Sequence, residues 1–211
     1  MKAENSLNST IERELTLRNC AILTSLAITV FYGNAIAQTA ERELPQGRAV
    51  SGWAIEVIPG DDRRPIEEFA GVRGYGRLSR PSSLISFEQT AQQVGAGTPT
   101  IHNGRAFLKI NVEGDSSFAI QIRRTGGMIV SCDGVLSVGG TRVLAGRVIP
   151  RDGFMTIAGN ARLTPGYYRV EYTTRCNRYN KNESEYNIVY RGPSDNTPRL
   201  FRADELFHLQ Q

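Results

Sequence analysis

Apolar and polar residues alternate with a period of two through most of the chain from about residue 50 onward. This is the period of a β-strand, because successive side chains of a strand point to opposite faces of its sheet. Turn-forming residues separate the alternating segments at intervals of about 8–12 residues. Three segments place their apolar residues on a single inward face: Trp53, Ile55 and Val57; Ala106, Leu108, Ile110 and Val112; Phe118, Ile120 and Ile122. The sequence therefore predicts an all-β fold, an antiparallel β-sandwich of the jelly-roll-like type.

Glycine, proline and aspartate predict where the strands turn. The pair Asp133-Gly134 is typical of a tight hairpin, and Thr164-Pro165-Gly166 forms a predicted hinge between two strands. Helical periodicity is limited to "SFEQTAQQV" at residues 86–94 and to the amphipathic "ADELFHL" at residues 203–209. We therefore expect a short C-terminal helix beside the sheets, with residues 86–94 forming either a helix or a loop.

The N-terminal 37 residues resemble a segment that is removed on export. A polar stretch precedes the apolar run "CAILTSLAITVFY", whose roughly 13 residues are too few to span a bilayer. Ala35-Ile36-Ala37 then matches the small residues that a signal peptidase accepts. We therefore expect residues 1–37 to be a polar leader plus secretory signal, and residues 38–211 a single domain without a stable membrane span. Its location would be periplasmic, cell-surface or extracellular, and an uncleaved signal anchor is the alternative.

Residues 38–211 contain two cysteines, Cys132 and Cys176. In an oxidising compartment such a pair is expected to form a disulfide. The alternation places Cys132 on the face of Met128 and Val130, and Cys176 on the face of Tyr172. On the opposite, solvent-facing side of the second segment it places Arg169, Glu171 and Arg175. We predict one disulfide, between two strands or between two sheets, and two unpaired core thiols are the alternative.

The chain carries a formal net charge of +4, and the basic residues after position 37 are nearly all arginine. A basic exported protein is suited to anionic envelope polymers, glycans or lipid headgroups. The arginines are scattered one or two at a time, which is also the pattern of a solvated surface without a particular partner. The export signal and the lack of a basic helix argue against a nucleic-acid partner.

No catalytic residue can be assigned from the sequence. A hydrolase needs paired carboxylates, or a nucleophile with an oriented base. The acidic residues stand singly on outward strand positions or in turns, and the only histidines after position 37 are His102 and His208. We therefore predict that the protein is not an enzyme, and a glycan-acting hydrolase assembled from distant residues is the alternative.

Three segments resemble, in order, the strands and turns of a known module: "FLKINVEGDSSFAIQI", "MIVSCDGVLSV" and "ARLTPGYYRVEY". Over about residues 106–176 the chain is similar to the protective-antigen-type β-sandwich domain of secreted toxins, adhesins and glycosidases. The resemblance implies carbohydrate binding, with two adjacent aspartates that hold calcium before the Asp133-Gly134 segment. This chain has Arg123, Arg124 and Thr125 there, and guanidinium groups oppose a calcium ion. We therefore predict no metal site and no cofactor.

The resemblance favours a non-catalytic exported module that recognises a glycan or cell-envelope polymer through loops at one end of the sandwich. The loop "RCNRYNKNESEYN" is polar, long and aromatic-bearing, which makes it a candidate contact surface. The predicted ligand-binding residues are Arg123, Arg124, Asp133, Arg178, Tyr179 and Tyr186. The alternative is a structural or accessory subunit of a surface or secretion apparatus, which docks on another exported protein through a sheet face or an edge strand.

Overall fold

The structure is a computed structural model that describes residues 47–61, 63–96, 99–127, 130–150, 153–176 and 183–210. The predicted leader and signal at residues 1–37 lie outside these ranges, so the boundary at residue 38 stays a prediction.

Strands dominate the described residues. They are β1 (Arg48–Ser51), β2 (Trp53–Pro59), β3 (Gly76–Arg80), β4 (Ile85–Ser86), β5 (Thr100–Ile110), β6 (Gly114–Arg124), β7 (Cys132–Val138), β8 (Thr141–Val148), β9 (Met155–Leu163), β10 (Gly166–Cys176), β11 (Ser184–Arg191), β12 (Arg199–Leu200) and β13 (Leu206–Gln210). A 3-10 turn covers Ile66–Phe69, and the helix α1 covers Phe87–Gln93. Of the two segments with helical periodicity, the first therefore forms a helix, and Ser86 caps it by accepting a hydrogen bond from the backbone N–H of Gln89.

The strands form two antiparallel sheets. Sheet A has the order β1-β13-β5-β10-β7-β8, with β2 paired to β5 and β3 paired to β2. Sheet B has the order β12-β11-β6-β9, with β4 paired to β11. The predicted hinge at residues 164–166 lies between β9 of sheet B and β10 of sheet A. The predicted antiparallel sandwich is confirmed.

The core lies between the two sheets and is built from the predicted inward faces. Trp53, Leu108 and Ile120 are at most 1% exposed, and Trp53 packs edge-on against Tyr172 with ring centroids 4.9 Å apart. Val112 is the exception among the predicted inward residues. It is 54% exposed because β5 already ends at Ile110.

The predicted disulfide between Cys132 and Cys176 is confirmed. The two residues face each other in register on β7 and β10, which are neighbours in sheet A. The bond therefore joins two strands of one sheet, which decides between the two predicted placements. Cys132 and Cys176 are both buried, and so is Val130, while Met128 lies outside the described residues.

The prediction of a hairpin at Asp133-Gly134 is wrong. Both residues lie within β7, opposite Arg147 and Gly146 of β8. The turn that follows β7 lies at Gly139-Gly140, where both residues have positive φ angles. A Cβ atom on Gly134 would lie 2.9 Å from Cδ1 of Ile120 in the opposite sheet. The glycine therefore permits close packing of the two sheets and does not form a turn.

The predicted C-terminal helix is also wrong. Residues 203–205 form a turn, and residues 206–210 form β13, which pairs with both β1 and β5. The two neighbouring strands give the same segment backbone partners and bury Leu206 and Phe207.

Candidate functional site

One end of the sandwich, which we call the loop end, gathers several connections between strands. There β6 ends at Arg124, β9 begins at Met155, β10 ends at Cys176 and β11 begins at Ser184. The disulfide lies at the same end, because Cys176 and Cys132 are the last and first residues of their strands. Of the predicted ligand-binding residues, Arg123 and Arg124 lie here, whereas Arg178 and Tyr179 fall outside the described residues.

Arg123 presents a fixed guanidinium group at the loop end. Its Nε donates a hydrogen bond to Oε1 of Glu185, which faces it in register on β11. The guanidinium carbon lies 5.0 Å from the ring centroid of Phe154, which is within the range of a cation–π interaction. The side chain of Arg123 is nevertheless 42% exposed. It therefore combines a held position with access to solvent.

Exposed apolar side chains accompany Arg123. Ile149 is 54% exposed, Phe154 39% and Met155 40%, and all three lie where β8 ends or β9 begins. We call these three residues and Arg123 the loop-end patch. Sequence reasoning did not single out Phe154, although an aromatic residue directly after the turn residues "RDG" is a signal that could have found it.

Asp133 has a different role from the predicted one. Its carboxylate is 12% exposed and forms ion pairs with Arg147, at 2.5 Å, and with Arg175, at 3.0 Å. The hydrogen bond and the negative charge of Asp133 raise the pKa of Arg147. Because its oxygens are engaged by arginine within the fold, Asp133 is placed to stabilise the structure and not to receive a ligand.

Arg175 was predicted on the solvent-facing side of its strand, and this prediction is wrong. It does point away from the core, but it is only 5% exposed. Its guanidinium donates to the backbone oxygens of Asp61 and Arg64 as well as to Asp133. Residue alternation identifies the outer face of a sheet, but it does not reveal that a distant segment of the chain covers that face.

The expectation that Tyr186 lies on an exposed contact surface is wrong. Tyr186 is fully buried between the sheets. Its hydroxyl lies 2.8 Å from the hydroxyl of Tyr172 and 3.0 Å from Nδ1 of His102. The alternation of Tyr186, Ile188 and Tyr190 along β11 could have shown that these residues face inward.

Burial controls the ionisation of this cluster. Desolvation, with a smaller contribution from the positive charge of Arg80, lowers the pKa of His102 to about 3. Desolvation also raises the pKa values of Tyr172 and Tyr186. The imidazole and both phenols are therefore neutral at physiological pH and serve as hydrogen-bonded core groups.

Two further observations concern the described residues only. No group of three or more histidine, cysteine, aspartate or glutamate side chains is arranged to hold a metal ion in this part of the chain. No helix described by the structure is both long and apolar enough to cross a membrane.

No family model and no curated protein matches the sequence. Solved structures do match the fold. The epithelial adhesin 9 A domain of Candida glabrata, in complex with Galβ1-4GlcNAc, has a TM-score of 0.53 at 10% identity, covering 82% of this chain and 95% of that one.

Two further structures are PA14 domains, both with a TM-score of 0.51. The PA14 sugar-binding domain from an RTX adhesin is 12% identical, and the alignment covers 75% of this chain and 99% of that one. The PA14 domain of the antifreeze protein MpAFP is 8% identical, with coverages of 80% and 96%. The expected resemblance to protective-antigen-type domains is thus confirmed in part: this chain has a β-sandwich fold similar to that of PA14 and epithelial adhesin domains.

Proposed function

We propose that the protein is an exported, non-catalytic module that binds a glycan or another cell-envelope polymer at its loop end. The observation that carries the proposal is the extent of the fold similarity. The alignments span 95% and 99% of two domains that are described as sugar-bound or sugar-binding. The disulfide supports export, because such bonds persist in oxidising compartments.

The loop-end patch has the chemistry that a sugar requires. The ring of Phe154 offers an apolar face for the C–H groups of a pyranose, and the adjoining guanidinium of Arg123 offers N–H donors for its hydroxyls. Glu185 restricts the motion of Arg123, which lowers the conformational entropy that binding must remove. Arg124 is the next and last residue of β6.

Recognition in this proposal does not depend on calcium. The sequence resemblance implies that Arg123, Arg124 and Thr125 stand where carbohydrate-binding members of the protective-antigen-type family have two calcium-holding aspartates. Arginine donates hydrogen bonds to hydroxyl or carboxylate oxygens directly. A guanidinium-based contact therefore replaces a metal-based one at this end of the sandwich.

A glycan array with the purified exported protein tests the proposal. We expect saturable binding to at least one glycan, and at least a tenfold loss of affinity in the double variant Arg123→Ala/Arg124→Ala. The matched control is Arg162→Ala/Arg191→Ala, which removes the same charge from exposed positions near the opposite end of sheet B. Equal losses in both double variants would mean that net charge, and not the loop end, accounts for the binding.

A second candidate function is that of an accessory subunit that docks on an exported protein. The exposure of three apolar side chains at one end of the sandwich, Ile149, Phe154 and Met155, favours it, since exposed apolar surface is typical of contact sites. In that case a defined protein partner co-purifies with the chain, Phe154→Glu abolishes the association, and no glycan on the array binds. Glycan binding that Phe154→Glu weakens would instead support the first proposal.

A further inference from the structure

The outer face of sheet A carries a groove that is separate from the loop-end patch. It consists of two adjoining depressions of about 360 and 170 Å³, and both are lined by Asn103 and Arg105 of β5. Together they lie within the range of about 300–1,000 Å³ that is usual for small-molecule sites. The groove is bounded at one end by Glu67 and Gly71, beside the 3-10 turn, and at the other by His208 and Leu209 of β13.

The strand register arranges the floor of the groove in two parallel rows of side chains. The first row is Ala54, Arg105, Glu171 and Ser137. The second row is Glu56, Asn103, Thr173 and Val135. Each row crosses β2, β5, β10 and β7, whose spacing is about 4.8 Å. The floor therefore presents polar side chains in both rows on β5 and β10, with one polar and one apolar side chain on each of β2 and β7.

Ion pairs and a backbone contact hold the charged groups of the groove in place. Oε1 of Glu171 lies 3.5 Å from Nε of Arg105 and 2.8 Å from Nη2 of Arg169. Oε1 of Glu56 accepts a hydrogen bond of 2.9 Å from the backbone N–H of Gly74. Groups that are already oriented lose little conformational entropy when a ligand binds.

Asn103, where the two depressions meet, has an unsatisfied acceptor. It is 3% exposed, and its Nδ2 donates to the backbone oxygen of Phe69. Its Oδ1 is buried and has no hydrogen-bond partner in the described part of the chain. An unpaired buried acceptor costs about 1–3 kcal/mol. A ligand hydroxyl that donates to this oxygen would remove the penalty.

An aromatic side chain lines the larger depression as well. Phe107 of β5 is half-buried and stacks on Phe207, with ring centroids 5.9 Å apart. Packing against Phe207 fixes one face of the ring, so Phe107 forms a rigid apolar surface within an otherwise polar groove. A flat apolar surface beside oriented donors and acceptors is suited to a sugar ring.

We propose that this groove is a second ligand site, which binds a neutral oligosaccharide laid across the strands, with one ring against Phe107 and a hydroxyl donating to Oδ1 of Asn103. The choice of a carbohydrate as the ligand rests on the proposed function, whereas the existence of the groove does not. The lining residues favour a neutral ligand over a polyanion because their charges nearly balance. The four lining arginines are Arg77, Arg105, Arg142 and Arg169, and the three lining glutamates are Glu56, Glu67 and Glu171.

Nuclear magnetic resonance with the purified, isotope-labelled protein tests this site. Maltohexaose, cellohexaose and chitohexaose are the neutral probes, and heparin is the polyanionic one. We expect at least one neutral probe, with a Kd of about 1 mM or tighter, to shift the backbone amides of Arg105, Glu171 and Thr173. The variant Ser137→Trp fills the groove from its floor, and the Kd obtained from these shifts increases at least tenfold. The control Asn160→Trp, on the exposed face of sheet B, leaves them unchanged.

The outcomes separate this site from the loop end. Groove shifts that persist in Arg123→Ala/Arg124→Ala and are lost in Ser137→Trp support the proposal, whether or not the loop end binds a glycan. Shifts confined to the loop end overturn it and leave the proposed function standing. Absence of groove shifts with every neutral probe, or groove shifts with heparin alone, also overturns it.

Discussion

The loop end and the groove on sheet A present similar chemical groups at different positions in the strands that carry them. At the loop end, Arg123 and Phe154 lie where strands give way to connections, and they are exposed to solvent. In the groove, Arg105 and Glu171 lie in the middle of long strands and are paired with each other in register. The comparison shows that one ion pair and one ring hold the arginine at the end of the sandwich, whereas the register of long strands orders a whole row of groups on its face.

Removing the disulfide has the largest expected effect on stability, and it destabilises the loop end more than the groove. Replacing Cys132 and Cys176 by alanine removes a cross-link over a sequence separation of 44, which lowers the free energy of unfolding by about 4 kcal/mol. The bond sits at the loop end, so hydrogen exchange increases first at the termini of β7 and β10. Urea unfolding measures the total loss. Equal exchange increases at the backbone amides of Arg105 and Arg175 would contradict this uneven effect on the two regions.

Breaking the buried ion pair between Asp133 and Arg175 has the second largest expected effect on stability. Arg175→Met leaves the carboxylate of Asp133 without its buried partner and removes the hydrogen bonds to the backbone oxygens of Asp61 and Arg64, so the free energy of unfolding falls by about 3 kcal/mol. Urea denaturation checks the value. The control Arg147→Met removes a guanidinium that is 67% exposed and costs less than about 1 kcal/mol. Similar losses in both variants would contradict the structural role of Arg175.

Lowering the pH acts on the core through His102, which lies outside both proposed ligand sites. The folded-state pKa of His102 is about 3, below its ordinary value of 6.5, so the unfolded state binds the additional proton between these values. Stability from this group is present above pH 6.5 and is lost as the pH falls, by about 1.4 kcal/mol per pH unit. Thermal unfolding between pH 6.5 and 4.5 measures the slope. In His102→Gln the slope over this window decreases, and an unchanged slope would refute the assignment.

Chelation of calcium is expected to have no effect on stability or on glycan binding. If arginine replaces calcium at the loop end, excess EDTA leaves both the unfolding temperature and the glycan affinity unchanged. Calorimetry and the glycan array provide the two readouts. A chelator-dependent loss of binding that calcium restores would show that the loop end works like that of the calcium-holding sugar-binding domains.

Residue alternation predicted the inner faces correctly because burial between two sheets imposes a period of two. It placed Trp53, Leu108 and both cysteines on inward faces, and all four are buried. Two errors arose where the local signal has more than one cause. Gly134 permits close packing between the sheets and not a turn, and Leu206 and Phe207 are buried by strand pairing and not by a helix.

The site could be predicted only in part. The resemblance directed attention to Arg123, whose ligand-binding role stays a prediction, whereas Tyr186 was assigned to a loop although its strand phase points inward. The groove was missed entirely. Arg105, Glu171 and Asn103 look like ordinary solvent-facing residues in the sequence, and only the register of β2, β5, β10 and β7 brings them into one depression.

The central claim is that the loop end binds glycan. Mapping amide shifts in the purified protein as it is titrated with the strongest glycan from the array tests it most directly. The account predicts saturable shifts at Arg123, Phe154 and Met155 that vanish in the Arg123→Ala/Arg124→Ala variant. Saturable shifts elsewhere on the molecule, with the loop-end amides unmoved, would contradict it.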